Sequence, residues 1–558
     1  MVAGGGPRSP SARSATVVAA LVYLSVVNAT NAPQVIDSVS GATFVGTFDG
    51  TAEAFKGIRY GNVARRFAIA EQATYAVGEQ YNATAFGPRC FQEEGEDADP
   101  RAPPLSEDCL FLNVWRPVGT TSESNLPVAV WIHGGGCSSG SGSDWMYNGT
   151  LFAGNQQIVL ITINYRLGPL GFLCVDEVCT GGMNSMMDQI VALEWVQEHI
   201  ASFGGDPDVV TMFGQSAGGQ AICELVVSER ADGLFHHAVM ESGPCIGSFA
   251  PANASVGQAT GLQWMASVGA SSLEDLQNKT KFPMETFKWG SLHAYPCFGD
   301  PSGVLSQSPE SLYLSGRAHV QTLVMGVTTF DGTGPWMLEG VPLTTRAEYM
   351  QQVEQNLAGY TAQQVESIVA MYDPEIKYNG SYAASLIAIT GDRDIVCPTI
   401  ALANLTSRRS ESVYLYRFGQ LYARDLALEF ELLPDNASEV FPEWAPTFAS
   451  HTAEIPFIFG NTFGPSLHHK TPVNMPFSDG EQRLSKSISS LWSSFMKTGS
   501  PSHGGHSRNF PAWPAVNGTG DELEALFLGV DSFVMDANEH AAKCALLWPS
   551  GVIDQSSS

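Results

Sequence analysis

Lysine and arginine are scarce in this sequence: 28 of them face 56 aspartates and glutamates, leaving a net charge of −28 over 558 residues. A surface so short of cations repels phosphate backbones and anionic headgroups, which excludes nucleic acid and an acidic membrane face as partners. The carboxylate excess would draw in cationic ligands, but it also serves simply to keep an exported protein dissolved, and that is the reading adopted here. No C-x-x-C pair occurs among the ten cysteines, which removes the commonest zinc and redox spacings. Heptads, internal repeats and long low-complexity tracts are absent, excluding coiled coils and solenoids. With 44% apolar and 15% charged residues, the chain can bury a large core, and no boundary between independent domains is visible after residue 33.

The apolar run "ATVVAALVYLSVV" (residues 15–27) has 13 residues, short of the roughly 20 that span a bilayer. It follows a polar segment carrying Arg8 and Arg13 and precedes the small residues of "NATNA", the pattern of a secretory leader cleaved near Ala29 or Ala32. The expected division is therefore a leader at 1–32, one catalytic domain at 33–550 and a polar tail at 551–558. That tail lacks the hydrophobic end of a lipid-anchor signal, so no stable membrane anchor is expected. Export also suits the sequons at Asn82, Asn148, Asn253, Asn278, Asn379, Asn404, Asn436 and Asn517, and it favours disulfides over metal sites.

Short β-branched runs recur ahead of Gly-rich turns: 126–133, 158–166, 208–214, 237–243, 322–328 and 412–419. Continuous apolar strands of this kind suit a sheet covered on both faces. Between them lie helical stretches, the clearest at 184–205, where Ile190, Leu193, Val196 and Ile200 share a face and Gly204 stops the helix. The alternation predicts a mostly parallel α/β sheet.

Two stretches match G-x-S-x-G, at 136–140 and 214–218. In "VVTMFGQSAGGQAICELVVSE" a strand passes through a sharp turn into a helix starting near Ala217, the elbow that lifts a serine hydroxyl above a sheet. Ser216 then sits at a helix N-terminus, which favours developing negative charge. Ser138 lies in a Ser/Gly string with no helix after it. The preceding "HGGG" is instead a loop able to present bare backbone N–H groups to an oxyanion, and such donors are each worth about 3–4 kcal/mol of barrier. Gly135, Gly136 and Ala217 are the expected donors. A serine nucleophile needs a base and an orienting carboxylate. Asp331, at the end of the strand "TLVMGVTT", is a reasonable acid, whereas chain order alone leaves His451, His468, His469, His503, His506 and His540 open as the base. The adjacent pairs His236-His237 and His468-His469 are poorly spaced for one metal.

With "FKGIRYG", "EDCLFLNVWRP", "VWIHGGG", "NYRLGPLGFL", "MMDQIVALEWVQEHIASFGGDPDVVTMFGQSAGG", "MESG" and "SHTAEIPFIFG" in view, the chain resembles the type-B carboxylesterase family, the cholinesterase-like branch of the α/β hydrolases, over nearly all of 33–550. The resemblance implies an α/β-hydrolase fold with a mostly parallel central sheet, helices on both faces and long insertions. It selects Asp331 and His451 as acid and base, and it makes Ser242 a supporting serine near the acid. It also implies bridges between Cys90 and Cys109 and between Cys397 and Cys544. Cys174 and Cys179 could close a local loop, Cys245 is left to pair with Cys297, and Cys137 and Cys223 are left as thiols, Cys137 as a small buried one.

Three departures from the family bear on substrate. Gln215 precedes the serine where many relatives carry Glu, and Asp331 stands where Glu is commoner. The loop between Cys90 and Cys109 has seven carboxylates and no tryptophan, so it offers neither a choline-binding ring nor an apolar lid for an oil surface. The expected protein is a secreted serine esterase acting on a soluble, short- or medium-chain carboxylic ester, with no metal or organic cofactor and its oligomeric state open. A lipase or thioesterase of the same family is the runner-up, and a binding ectodomain that has lost catalysis is the rival from another class.

Overall fold

Strands form where both faces of a β-branched run are covered. The computed structural model describes residues 1, 32–93, 100–177, 179–288, 296–332, 343–408, 412–420, 449–464, 473–474, 476–502, 512–516, 523–530, 532–537 and 540–548. Eleven strands build one large sheet. In chain order they are β1 (Thr47–Asp49), β2 (Ala52–Arg59), β3 (Phe111–Pro117), β4 (Leu126–Ile132), β5 (Val159–Ile163), β6 (Gly205–Gln215), β7 (His237–Glu241), β8 (Thr322–Thr328), β9 (Ser412–Phe418), β10 (Glu524–Gly529) and β11 (Ser532–Ala537). Across the sheet they run β11-β10-β9-β8-β7-β6-β4-β5-β3-β2-β1. Every pairing from β10 to β5 is parallel; the six expected runs supply β4 to β9, and β10 was not among them. Antiparallel strands flank this block on both sides. They were not among the expected runs because β3 reads "FLNVWRP": its Asn113 and Arg116 are buried, but Asn113 Nδ2 donates to Thr162 Oγ1 (3.0 Å) and Arg116 pairs with Glu53 (2.7 Å).

The side-chain period of two divides the core into two layers. Val128, Val130 and Ile132 of β4 pack on one face with Ile161, Met212 and Met240. Ala129 and Trp131 pack on the other with Leu160, Phe213 and Val239. Fully burying each large apolar side chain stabilises the fold by about 1.5–3 kcal/mol.

Helix α1 (Asn184–His199) continues through one 3₁₀ turn to Gly204, whose φ of +85° ends it. Ile190, Leu193, Val196 and Ile200 are buried as expected, but so are Asp188, Gln189 and Trp195. The helix is thus enclosed rather than amphipathic, with Asp188 neutralised by Arg166 at 2.7 Å. Four further helices matter below: α2 (Ala217–Leu225), α3 (Cys397–Ser407), α4 (Asp479–Thr498) and α5 (Ala541–Leu547). Among the described residues no helix is long and apolar enough to cross a membrane. The leader expected at 1–32, except its first and last residues, and the tail at 551–558 lie outside the described residues.

Cys90–Cys109, Cys174–Cys179 and Cys397–Cys544 are bonded, the last tying α5 to the first residue of α3. The expected pairing of Cys245 with Cys297 is not found. Cys245 instead bonds Cys223 of α2, which was expected to be a thiol, and Cys297, like Cys137, is a buried free thiol. The reason is topological: β6 and β7 are parallel neighbours, so the helix leaving one and the chain leaving the other emerge side by side, with the Cys223 and Cys245 Cα atoms 5.6 Å apart. Cys297 lies with Cys174 and Cys179 in a buried group whose sulfurs are all within 4.8 Å of one another. Gly182 makes room for them, since a Cβ there would come within 2.6 Å of Cys179 Sγ and 2.9 Å of Cys297 Sγ. Gly182→Ala is therefore expected to destabilise the fold by about 1–3 kcal/mol, and an unchanged urea midpoint would show that the sulfur cluster yields freely.

Candidate active site

Strand β6 ends at Gln215, and α2 begins at Ala217. Between them Ser216 takes φ +57° and ψ −126°, a conformation that L-residues rarely adopt and that only firm surroundings maintain. Those surroundings are visible. Ser216 N donates to Glu241 O (2.8 Å), and Ser216 O accepts from Gln220 N (2.9 Å). Gly218 lets the turn press against β4, because a Cβ there would overlap the carbonyl oxygen of Ile132.

The glycine loop after β4 rests on this elbow: a Cβ on Gly134 would lie 2.8 Å from Gln215 O and 3.1 Å from Ser216 Cβ. Gly135 has φ +114°, and a Cβ there would overlap the carbonyl of Ser139. The loop's other serine is occupied locally, Ser138 Oγ donating to Gly135 O at 3.2 Å. No helix follows it until Thr150–Gln156, after a single 3₁₀ turn at Trp145–Tyr147. His133 is no base candidate. Burial pushes its imidazole down to about 4, and the neutral ring stacks on Tyr165 at 4.3 Å. Cys137 is likewise inert, its thiol raised far above the ordinary range by burial.

Acid and histidine come from opposite ends of a 120-residue separation. Phe330 and Ser450 form a β-bridge, reinforced by Phe330 N donating to Ala449 O (3.0 Å). This bridge brings His451 Nδ1 to 2.6 Å from Asp331 Oδ1. The other carboxylate oxygen accepts from Ser242 Oγ (2.7 Å) and Thr328 N (2.8 Å). A carboxylate only accepts, so Nδ1 carries the ring proton and Nε2 is left as an acceptor. Gln215 Nε2 stands 3.0 Å from that Nε2. Asp331 and His451 are buried, and Ser216 is half-buried. His540, one of the histidines left open by chain order, lies elsewhere, 3.3 Å from Asp392. His468, His469, His503 and His506 fall outside the described residues.

Two carboxylates behind this site were missed. Glu241 Oε1 accepts from Trp492 Nε1 of α4 (2.8 Å), and Glu454 Oε1 accepts from Tyr416 OH (3.4 Å). Burial raises both acids above the ordinary carboxylate range, and the neighbouring acidic groups raise Glu454 further. Both residues stand in the quoted stretches "MESG" and "SHTAE", but nothing local signals their enclosure.

A third buried acid, Glu224 on α2, has one oxygen bonded to Gln220 Nε2 (3.0 Å) and the other without a partner among the described residues. Burial pushes its carboxyl from 4.5 up to about 8. The folded chain then keeps a proton that the unfolded chain gives up, so the stability gained is complete below the ordinary pKa and is lost as pH rises toward 8. Glu224→Gln removes this loss. Its stability relative to the native chain is expected to climb between about pH 5 and about pH 8, by up to a few kcal/mol. A difference that stays flat across thermal unfolding scans in that range would show that the acid is not held neutral.

The profile of the carboxylesterase family matches residues 36–547. Para-nitrobenzyl esterase of Bacillus subtilis (strain 168) is 31% identical over 490 residues, 84% of this chain and 90% of its own length. Fatty acyl-CoA hydrolase precursor, medium chain, of Anas platyrhynchos is 31% identical over 412 residues, covering 71% and 69%. Acetylcholinesterase-1 of Trittame loki is 29% identical over 533 residues, covering 88% and 89%. The match runs through β4, β6, β7 and β8, the strands whose ends carry the glycine loop, the elbow and the acid. This chain therefore belongs to the carboxylesterase family, and it is a serine hydrolase of carboxylic esters with the α/β-hydrolase fold.

Proposed function

We propose that this protein is an exported esterase that cleaves small, soluble carboxylic esters by a Ser216–His451–Asp331 triad through an acyl-enzyme. The observation that carries the reading is the buried His451 Nδ1 to Asp331 Oδ1 bond of 2.6 Å, with the imidazole beside the residue preceding the elbow serine. Ser216 Oγ attacks the ester carbonyl while His451 Nε2 takes its proton, exchanging the Gln215 amide for the hydroxyl. The carbonyl oxygen becomes an anion held by the N–H groups of Gly135, Gly136 and Ala217. His451 then protonates the leaving alcohol, Asp331 holding the imidazolium in place. Water repeats the sequence on the acyl-enzyme and releases the acid.

The seven carboxylates and missing tryptophan of the Cys90–Cys109 loop favour a soluble neutral ester over choline or an oil surface. A thioester substrate is the second reading, favoured by the similarity to the fatty acyl-CoA hydrolase precursor. The leader-like segment and the eight sequons after it support export. A fluorophosphonate probe is expected to label Ser216. Rates on esters and thioesters of graded acyl length, with and without an oil interface, separate the substrates: activation by the interface, or a preference for thioesters, would replace the soluble-ester reading.

A further inference from the structure

A cavity of about 490 Å³ is lined by none of Ser216, Asp331, His451 or the glycine loop. Its size is that of a site for a small organic molecule. Five of the chain's 28 lysines and arginines border this one cavity: Arg59, Arg65, Arg66, Arg166 and Lys279. In a protein with a net charge of −28 such a concentration of cations runs against the composition.

Charge pairing accounts for three of them. Asp108 holds Arg59 (2.8 Å), Glu107 holds Arg66 (2.5 Å), and Asp188 holds Arg166 (2.7 Å). Lys279 also reaches Glu107, at 3.3 Å, but the single charge of that carboxylate is already matched by the buried Arg66. Arg65 is exposed and has no ion-pair partner among the described residues. The edge therefore keeps two uncompensated positive charges, on Arg65 and Lys279. Beneath them the wall is stiff: Arg66 stacks 4.5 Å over Phe287 and Arg59 4.5 Å over Phe111. The apolar side chains of Val63, Phe67, Leu110 and Leu170 also line the cavity.

We propose that this cavity binds a small organic dianion, its charges met by Arg65 and Lys279 and its apolar body resting on Val63, Phe67, Leu110 and Leu170. Neither the triad residues nor the glycine loop line the cavity, although its Phe67 and Leu170 share a buried cluster with Cys137 and Ala217, and the inference does not depend on the triad.

Calorimetric titration of the full chain at low ionic strength tests it, with phenyl phosphate, glutarate and neutral benzyl alcohol as probes. Saturable binding of at least one dianion and none of the alcohol is expected. Phenyl phosphate alone would indicate two charges on one group, and glutarate alone two separated carboxylates. Arg65→Glu and Lys279→Glu should each weaken binding on the order of tenfold, as should raising the ionic strength by about a factor of ten. Both positions are exposed, so matching thermal midpoints will show that the variants fold. Asn278→Gln serves as a control, because the sequon at Asn278 adjoins Lys279. Ser216→Ala should bind the dianion as the native chain does. Absence of saturable binding, affinity unchanged from the native chain in both charge-reversed variants, or loss of binding in Ser216→Ala would overturn the proposal.

Discussion

Ser216→Ala is expected to lower kcat/KM for soluble esters by on the order of 10⁵- to 10⁶-fold, equivalent to about 7–8 kcal/mol of transition-state stabilisation. Alanine removes the proposed nucleophile while leaving the rest in place. The φ of +57° at this position is set by backbone bonds to Glu241 and Gln220, which the substitution does not touch. The glycine loop packs on the backbone of Gln215 and on Ser216 Cβ, which alanine retains. Substrate binding should persist and turnover should not, so the loss falls on kcat. Fluorophosphonate labelling should vanish in parallel. Activity within about tenfold of the native chain would move the chemistry to another hydroxyl, and Ser138, the other serine in a G-x-S-x-G match, would be the first to examine.

Asp331→Asn should cost on the order of 10⁴-fold in kcat with little change in KM. The two side chains have nearly the same shape, but the carboxylate is used entirely as an acceptor: from His451 Nδ1, from Ser242 Oγ and from Thr328 N. An amide must turn its NH₂ toward one of these donors. Turned toward His451, it favours the tautomer with its proton on Nε2, and the base can no longer accept from Ser216. Turned toward Ser242 and Thr328, it leaves a buried backbone N–H facing another donor, which costs about 1–3 kcal/mol of stability. A variant that keeps its thermal midpoint and loses kcat identifies the first case, and a lowered midpoint identifies the second. Unimpaired turnover would remove Asp331 from the mechanism and turn attention to the buried Glu241 and Glu454.

Local features of this protein could be read in advance. The runs at 126–133, 322–328 and 412–419 became β4, β8 and β9 within a residue, because an uninterrupted β-branched stretch is stable only where both faces are covered. The elbow was legible for a similar reason: a strand, a glycine-flanked serine and a helix-forming segment occupy consecutive positions. The flanking strands were not, since Asn113 and Arg116 make β3 look polar until Thr162 and Glu53 arrive from elsewhere in the chain. Likewise the enclosed face of α1 depends on Arg166 neutralising Asp188.

The order of residues by itself determined six of the seven strands of the parallel block, the bend at Ser216 and the glycine loop before it, since each depends on neighbours only a few positions away. It left six histidines equally eligible until the resemblance to a family was considered. Tertiary structure decided what depends on distant segments meeting: Asp331 against His451 through the bridge of Phe330 and Ser450, and Cys223 rather than Cys297 as the partner of Cys245. The raised acids Glu224, Glu241 and Glu454 belong to the same class. Burial is conferred by everything packed around a side chain, and no stretch of neighbouring residues encodes it.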